Sequence, residues 1–185
     1  MIWNLFGKIV IRQILNHKYI MNEQSNSSLQ VATFAAGCFW GVEESFRMIK
    51  GVKTTIVGYT GGWFPNPSYD IVCTDKTGHA EAIQIQYDPN QVSYDQLLKV
   101  FWSIHNPTTK DRQGFDYGRQ YRSAIFYHTP EQQLIAKRSK DDLEKSGRFK
   151  DRIVTEIVPA SQFFKAEDYH QKYYAKRGGG GPCYF

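Results

Sequence analysis

The sequence predicts an α+β fold, a two-layer sandwich in which helices pack on one mixed sheet. In chain order, the apolar periodicity gives β-α-β-β-α-β and then α-β-α with a long irregular C-terminal tail. The first six elements match a split βαβ, or ferredoxin-like, core. Hydrophobic residues make up 41% of the chain, enough for a sizeable core, and 185 residues without an internal repeat predict a single domain.

The first two strands flank one helix. A strand is expected over residues 29–36, followed by a helix over about residues 42–49 with its apolar side chains at helical spacing. Glycines open and close a second strand over residues 51–62. Residues 63–69 are rich in aromatic residues and proline, so a loop that lies against the fold is expected there.

The middle of the chain continues with a strand, a helix and a further strand. The strand over residues 79–87 shows alternating side chains and ends at a turn signal. Ser93 and Gln96 form a Ser-x-x-Gln capping box, which predicts the start of the next helix. Residues 105–120 are expected to form a loop that leads into a strand over residues 121–127.

The last third is predicted to add a helix, a strand and a short helix. Thr129 as N-cap and Pro130 at the first helical position predict a helix that ends near Gly147. A strand over residues 153–158 follows, and then a short helix over residues 161–174.

Residues 1–28 are interpreted as a leader and linker, and residues 29–185 as the folded domain. Three of the five net positive charges lie in the leader, on Lys8, Arg12 and Lys18. Its basic, acid-free first 20 residues agree with a mitochondrial transit peptide, whereas the polar stretch after Met21 agrees with a start at that methionine and a cytoplasmic protein. The leader is too interrupted by charge to span a membrane.

Charge and cysteine usage exclude several classes of function. Outside the leader the chain is near neutral, so neither a nucleic-acid partner nor a basic binding module is favoured. The three cysteines, Cys38, Cys73 and Cys183, do not resemble a secreted disulfide framework. No Cys/His spacing suits zinc, so no metal site is expected.

The run Gly37-Cys38-Phe39-Trp40-Gly41 is the strongest chemical signal in the chain. It places a cysteine between a strand and a helix, where the free N–H groups of the helix favour a thiolate. A thiolate is a nucleophile, and the two aromatic residues after it could wall a small apolar pocket. The alternative is a buried structural cysteine in a strand-to-helix turn.

Other residues qualify as partners of such a thiolate, each with a simpler alternative. Glu81 lies in an apolar-flanked strand, where it is either a buried general acid or a solvent-facing residue. Tyr69 and Tyr121 could donate hydrogen bonds or simply pack, and Asp116 is most simply a turn residue. Cys183 follows four glycines, so it is either a mobile second thiol or a residue of a frayed terminus.

A pairing of Cys38 with His79 would instead indicate a cysteine hydrolase. His79 is two residues from Glu81 and would point to the same face of the strand. A lone histidine is more often structural, and Cys73 has no partner signal and is interpreted as structural too.

Six motifs together resemble those of the peptide methionine sulfoxide reductase A family, which reduces the S epimer of methionine sulfoxide. They occur in the family's order and cover the chain from about Val31 to the C-terminus. The motifs are Gly37-Cys38-Phe39-Trp40-Gly41, Gly58-Tyr59-Thr60-Gly61-Gly62, Pro65-Asn66-Pro67-Ser68-Tyr69, Thr77-Gly78-His79-Ala80-Glu81, Gln120-Tyr121-Arg122-Ser123 and Ala166-Glu167-Asp168-Tyr169-His170-Gln171.

The resemblance implies a reaction and its catalytic residues. Cys38 would attack the sulfoxide sulfur while Glu81 protonates the oxygen, leaving methionine and a sulfenic acid on Cys38. Cys183 would condense with that sulfenic acid to a disulfide, and thioredoxin or another dithiol would reduce it. The resemblance implies neither a bound cofactor nor a membrane. Oxidised proteins and peptides would be the substrates. A monomer is expected.

The resemblance also implies a substrate pocket. Phe39 and Trp40 would hold the S-methyl group of the substrate. Tyr69 and Tyr121 would hydrogen-bond the sulfoxide oxygen, and Asp116 would support the polar side of the site.

Two loops depart from the family's pattern. Trp63 and Phe64 enlarge the loop before Pro65. Phe115 and Arg119 replace smaller or polar residues around Asp116. These changes leave the proposed catalytic residues intact. They are expected to alter access to the site or the preference among peptides.

Overall fold

The computed structural model describes residues 28–179, which form one six-stranded sheet with helices packed against it. The expectations for residues 1–27, for the last two residues of the tetraglycine segment and for Cys183 lie outside the described residues. The division into a leader and one domain therefore stays a prediction.

The described elements are eight strands, four α-helices and two short 3₁₀ segments. The strands are β1 (Gln30–Ala36), β2 (Val52–Thr60), β3 (Ala80–Tyr87), β4 (Arg112–Gln113), β5 (Asp116–Tyr117), β6 (Ser123–Tyr127), β7 (Glu156–Pro159) and β8 (Phe164–Lys165). The helices are α1 (Phe39–Arg47), α2 (Tyr69–Val72), α3 (Tyr94–Ser103) and α4 (Pro130–Lys145), with 3₁₀ segments at Arg119–Tyr121 and Ala175–Arg177.

The large sheet has the strand order β7-β6-β1-β3-β2-β8, and β4 and β5 form a separate hairpin. β3 lies between β1 and β2 and is antiparallel to both. β6 and β7 pair in parallel, so the sheet is mixed and the predicted α+β class is confirmed.

The two faces of the sheet are covered differently. One face shares a core with α1, α3 and α4, in which the ring centroid of Phe34 lies 5.4 Å from that of Phe46 and 5.3 Å from that of Phe101. The other face presents small side chains such as Ala80 and Ala82, against which residues 158–163 pack. β3 is therefore buried on both sides, which determines the surroundings of Glu81.

The two predicted helix starts are confirmed in atomic detail. At α3, the N–H of Gln96 donates to Ser93 Oγ at 3.2 Å, and the N–H of Ser93 donates to Gln96 Oε1 at 2.7 Å. At α4, the N–H of Gln132 donates to Thr129 Oγ1 at 3.1 Å, and Pro130 is the first helical residue. These local signals predict the boundaries well because the bonds span only three residues.

Three predicted boundaries in the first 120 residues are wrong. α1 begins at Phe39, three residues before the expected position, so that Cys38 itself is the N-cap residue. The expected loop over residues 63–69 ends in the short helix α2. The expected loop over residues 105–120 contains the β4–β5 hairpin.

The predicted helix over residues 161–174 does not form. β8 instead pairs with the edge of β2, and the N–H of Ala166 donates to the carbonyl of Val57 at 3.0 Å. The backbone of this segment therefore bonds to the sheet edge rather than to itself. Lys172 has a φ of +52°, which also interrupts a helix.

Among the described residues, no helix combines the length and the apolar character needed to cross a bilayer.

Candidate active site

Cys38 lies in the turn between β1 and α1 and is half-buried. Gly37 before it has a φ of +91°, a conformation that glycine adopts without strain. A Cβ atom at Gly37 would come within 2.8 Å of Cγ of Gln113, so this turn leaves no room for a side chain. Cys38 is thus fixed at the start of a nine-residue helix, whose first N–H groups favour a negative charge nearby.

Glu81 in β3 is buried beside this turn. It is 2% exposed, and its Oε2 accepts a hydrogen bond of 3.0 Å from the backbone N–H of Phe39. Burial raises the pKa of Glu81 to about 8, the negative charge of Asp116 adds to the rise, and the hydrogen bond from Phe39 opposes it. The solvent-facing alternative for Glu81 is therefore wrong, and its carboxyl group is mostly protonated at neutral pH.

Tyr69 and Tyr121 share the electrostatic surroundings of Glu81. Burial raises the pKa of the Tyr69 hydroxyl above its ordinary value, and the charge of Glu81 adds to the effect. Burial likewise raises the pKa of Tyr121, with further contributions from Glu81, Asp116 and Cys38. Both phenols stay protonated at neutral pH and can donate hydrogen bonds.

Asp116 reaches the site on the β4–β5 hairpin, where it pairs with Gln113. Gln113 is buried, its side-chain amide donates to the carbonyl of Asn106 at 3.0 Å, and its Oε1 accepts from the N–H of Asn106 at 3.0 Å. Since Gln113 also packs on Gly37, the hairpin is anchored next to Cys38. Asp116 is thus more than a turn residue, because its charge acts on Glu81.

Phe39 and Trp40 form an aromatic wall in the first turn of α1. The Phe39 ring is buried, with its centroid 5.0 Å from that of the His170 ring. The indole N–H of Trp40 donates to Nδ1 of His170 at 2.9 Å, and the indole stacks on Tyr173 with 3.7 Å between ring centroids. One side of this wall therefore comes from the C-terminal part of the domain.

Glu167 connects this C-terminal part to the tyrosines. It accepts hydrogen bonds of 2.9 Å from the Tyr59 hydroxyl and from the backbone N–H of Tyr69. Burial opposes its ionisation, but the hydrogen bonds that Glu167 accepts outweigh burial and hold the pKa of its carboxyl group below the ordinary value. Burial lowers the pKa of His170, which favours the neutral ring, and Nδ1 accepts the hydrogen bond that the indole N–H of Trp40 donates.

Between Ser28 and Gly179, no group of three or more His, Cys, Asp and Glu side chains is arranged to hold a metal ion.

Comparison with known proteins identifies the family. The family described as peptide methionine sulfoxide reductase matches residues 30–185. The peptide methionine sulfoxide reductase MsrA of Methanosarcina mazei is 62% identical over 156 residues, which are 84% of this chain and 74% of that protein. The chain belongs to the peptide methionine sulfoxide reductase family.

Solved structures agree with this membership. Mxr1 of Saccharomyces cerevisiae in reduced form matches with a TM-score of 0.79 and 33% identity, over 87% of this chain and 93% of that one. Mxr1 in complex with Trx2 matches with a TM-score of 0.58 and 24% identity, over 87% of this chain and 91% of that one. As a peptide methionine sulfoxide reductase, the chain is an oxidoreductase that reduces methionine sulfoxide by thiol chemistry, in a family that needs no bound cofactor.

In this reductase, the ring of His79 forms hydrogen bonds with backbone groups rather than with Cys38. Its Nδ1 accepts from the N–H of Gly62 at 3.1 Å, and its Nε2 lies 2.8 Å from the carbonyl oxygen of Phe64. Both ring nitrogens are thus bound to the loop after β2. The cysteine-hydrolase alternative, which needs His79 as a base for Cys38, is therefore wrong.

The sequence did not assign roles to three residues of the aromatic wall and its support. Glu167 and His170 belong to one of the six motifs of the resemblance, which was the only signal for them. Tyr173 lies two residues beyond that motif and gave no signal.

Cys73 is exposed and forms a hydrogen bond with the side chain of Tyr69, and burial raises the pKa of its thiol.

Proposed function

We propose that this reductase acts on the S epimer of methionine sulfoxide, free or within polypeptides, with Cys38 as nucleophile and Glu81 as acid. The observation that carries the proposal is the hydrogen bond of 3.0 Å between the buried Glu81 carboxyl and the N–H of Phe39. It puts a mostly neutral acid beside the residue that follows the thiol. Thiolate attack needs such an acid, because the sulfoxide oxygen is a poor leaving group until it is protonated.

The first step transfers oxygen between two sulfur atoms. The Cys38 thiolate attacks the sulfoxide sulfur while Glu81 delivers its proton to the oxygen. Two electrons from the Cys38 sulfur reduce the substrate, the sulfur–oxygen bond of the substrate breaks, and the oxygen ends on Cys38 as a sulfenic acid. Methionine is released, and Glu81 recovers a proton from solvent for the next cycle.

The pocket residues explain how the substrate is oriented. The rings of Phe39 and Trp40 offer an apolar surface for the S-methyl group. The hydroxyls of Tyr69 and Tyr121, protonated at neutral pH, donate to the oxygen. A methyl site and an oxygen site at fixed positions around one sulfur atom distinguish the two epimers, because exchanging the two groups puts the oxygen against the rings.

The second step regenerates the thiol. The Cys183 thiol condenses with the sulfenic acid on Cys38, giving a disulfide and water. A dithiol reductant of the thioredoxin kind then reduces that disulfide by thiol exchange. The complex of Mxr1 with Trx2 supports this choice of reductant. We further propose that the protein works as a monomer in the cytoplasm. We also propose that the strand order β6-β1-β3-β2 represents a split βαβ core.

A single-turnover experiment with separated epimers tests the proposal. Reduced protein is mixed with a peptide that contains either the S or the R sulfoxide, and the methionine formed is measured by chromatography. We expect methionine only from the S epimer, together with a Cys38 oxidised to a sulfenic acid or disulfide in mass spectrometry.

Two serine variants provide the controls. Cys38→Ser is expected to form no methionine, whereas Cys73→Ser keeps a hydroxyl next to Tyr69 and is expected to react like the wild type. Reduction of both epimers at equal rates, or activity in Cys38→Ser, would contradict the proposal.

A further inference from the structure

Four exposed aromatic side chains lie on the segments that carry the candidate site residues. Between Ser28 and Gly179, the exposed Phe, Tyr and Trp residues are Trp63, Phe115, Tyr117 and Tyr169, with exposures of 67%, 97%, 66% and 58%. We call them the aromatic rim. The other exposed large hydrophobic residues in this part of the chain are aliphatic: Leu29, Met48, Ile56, Ile71 and Leu134.

Every residue of the rim lies on a segment that carries a site residue. Phe115 and Tyr117 flank Asp116, and Tyr169 precedes His170. Trp63 lies in the segment between β2 and Tyr69. Four exposed aromatic rings on the segments that carry site residues indicate a binding role, because exposed aromatic rings add nothing to the core and favour association.

The β4–β5 hairpin holds the backbone at Phe115 in a defined place. It follows Gly114, whose φ of +58° suits the first position of a two-residue hairpin loop between the paired residues Gln113 and Asp116. Gln113 packs on Gly37 beside Cys38. The backbone at Phe115 is therefore held next to the turn of the nucleophile, and the ring itself makes almost no contact with the fold.

Trp63 is fixed in a similar way. Its ring lies so close to Gly78 that a Cβ atom at that glycine would collide with it. The guanidinium of Arg119 lies 5.7 Å from the centroid of the ring. Gly78 precedes β3, the strand that carries Glu81, so this ring has a defined position against the start of that segment.

The size of the substrate decides what can occupy the rim. Free methionine sulfoxide is only large enough to fill the pocket of Phe39 and Trp40 and to reach Glu81. Only a substrate that continues on both sides of the oxidised side chain can cover rings on three separate loops. Large rings with few rotatable bonds bind polypeptides at low entropic cost.

We propose that the aromatic rim binds the polypeptide segment around the oxidised methionine, with Phe115 against an apolar neighbouring residue. The inference rests on the proposed function and adds a substrate preference to it. The enzyme then favours extended or unfolded polypeptides with apolar residues next to the sulfoxide, because a folded partner cannot lay such a segment across the rim.

The test compares two substrates with one reductant. The kcat/KM values of wild type and Phe115→Ala are measured with dithiothreitol, first for free methionine (S)-sulfoxide and then for a peptide with leucine on both sides of it. For the peptide we expect a loss of about tenfold in Phe115→Ala, the effect of a well-packed interface side chain. For the free amino acid we expect no change. The matched control, Leu134→Ala, removes a side chain of 70% exposure on α4 and should change neither value.

The remaining outcomes are distinguishable. Equal losses for both substrates, or none for the peptide, would overturn the inference. A loss that occurs only when thioredoxin replaces dithiothreitol would overturn it as well, because the rim would then bind the reductant. Failure of the wild type to reduce the free amino acid or the peptide would refute the proposed function itself.

Discussion

Replacing Glu81 by glutamine removes the acidic proton and changes little else. The amide oxygen of Gln can still accept the hydrogen bond that the N–H of Phe39 donates at 3.0 Å, and the side chain keeps its size. The variant therefore tests proton donation separately from packing. We expect the single-turnover rate at pH 7 to fall by about 10²–10⁴-fold, the usual contribution of a general acid.

The pH dependence gives a second, quantitative expectation. With a pKa of about 8, about nine tenths of the Glu81 carboxyl groups are protonated at pH 7 and about one tenth at pH 9. The thiolate fraction of Cys38 only rises with pH, so a fall in rate above about pH 8 must come from an acid. The wild type should lose activity there, and Glu81→Gln should not show that fall.

The same group links stability to pH. Its folded pKa, about 8, lies above the ordinary value of 4.5, so the folded state binds the extra proton between these values. The contribution to stability is complete below about pH 4.5 and is lost as pH rises through about 8, a change on the order of 5 kcal/mol. Glu81→Gln should remove this loss, which urea denaturation at pH 5 and pH 9 measures.

The assay is rapid quenching of reduced enzyme with an S-sulfoxide peptide between pH 6 and pH 10. Glu44→Gln is the matched control, because it alters a largely buried carboxylate of α1 that binds Arg47 and lies outside the site. A rate of Glu81→Gln near that of the wild type would contradict the role of Glu81 as the acid. An alkaline fall that persists in the variant would contradict it as well.

Three further variants test other parts of the site. Asp116→Asn removes a charge that raises the pKa of Glu81, so the alkaline fall of the rate should move to lower pH; a fall that stays in place would contradict this coupling. Cys183→Ser should allow about one turnover per enzyme and no cycling with thioredoxin, since a sulfenic acid without a partner thiol accumulates. Normal cycling would refute its role. Gly37→Ala places a Cβ atom 2.8 Å from Cγ of Gln113 at a φ of +91° and should lower the free energy of unfolding by about 1–3 kcal/mol, measured by urea denaturation. Unchanged stability would show that the turn accepts a side chain.

Local signals predicted the fold where the structure depends on local bonds. The capping box of Ser93 and Gln96 and the Thr129-Pro130 start are complete within a few residues, so the sequence alone determines them. The wrong helix over residues 161–174 shows the opposite case. Its backbone bonds to Val57 and to other parts of the β2 edge, which lie about 100 residues away and leave no trace in the local pattern.

The candidate site shows the same division. Cys38 was found from its own turn, because glycine before it and a helix after it are visible in the sequence. Glu81 needed the resemblance, since burial on both faces of β3 depends on the strands beside it. The contribution of Tyr173 to the wall was invisible, because it depends on stacking against Trp40.

The aromatic wall has a consequence for protein synthesis. Trp40 and His170, which are joined by a hydrogen bond, are separated by 130 positions in the chain. A ribosome that adds about 5–20 residues per second needs roughly 10 s to make the second after the first. Until then the nascent chain contains Cys38, but Trp40 lacks its hydrogen bond to the ring of His170. The aromatic wall therefore cannot be complete until His170 has been made and the segment around it has folded back onto α1.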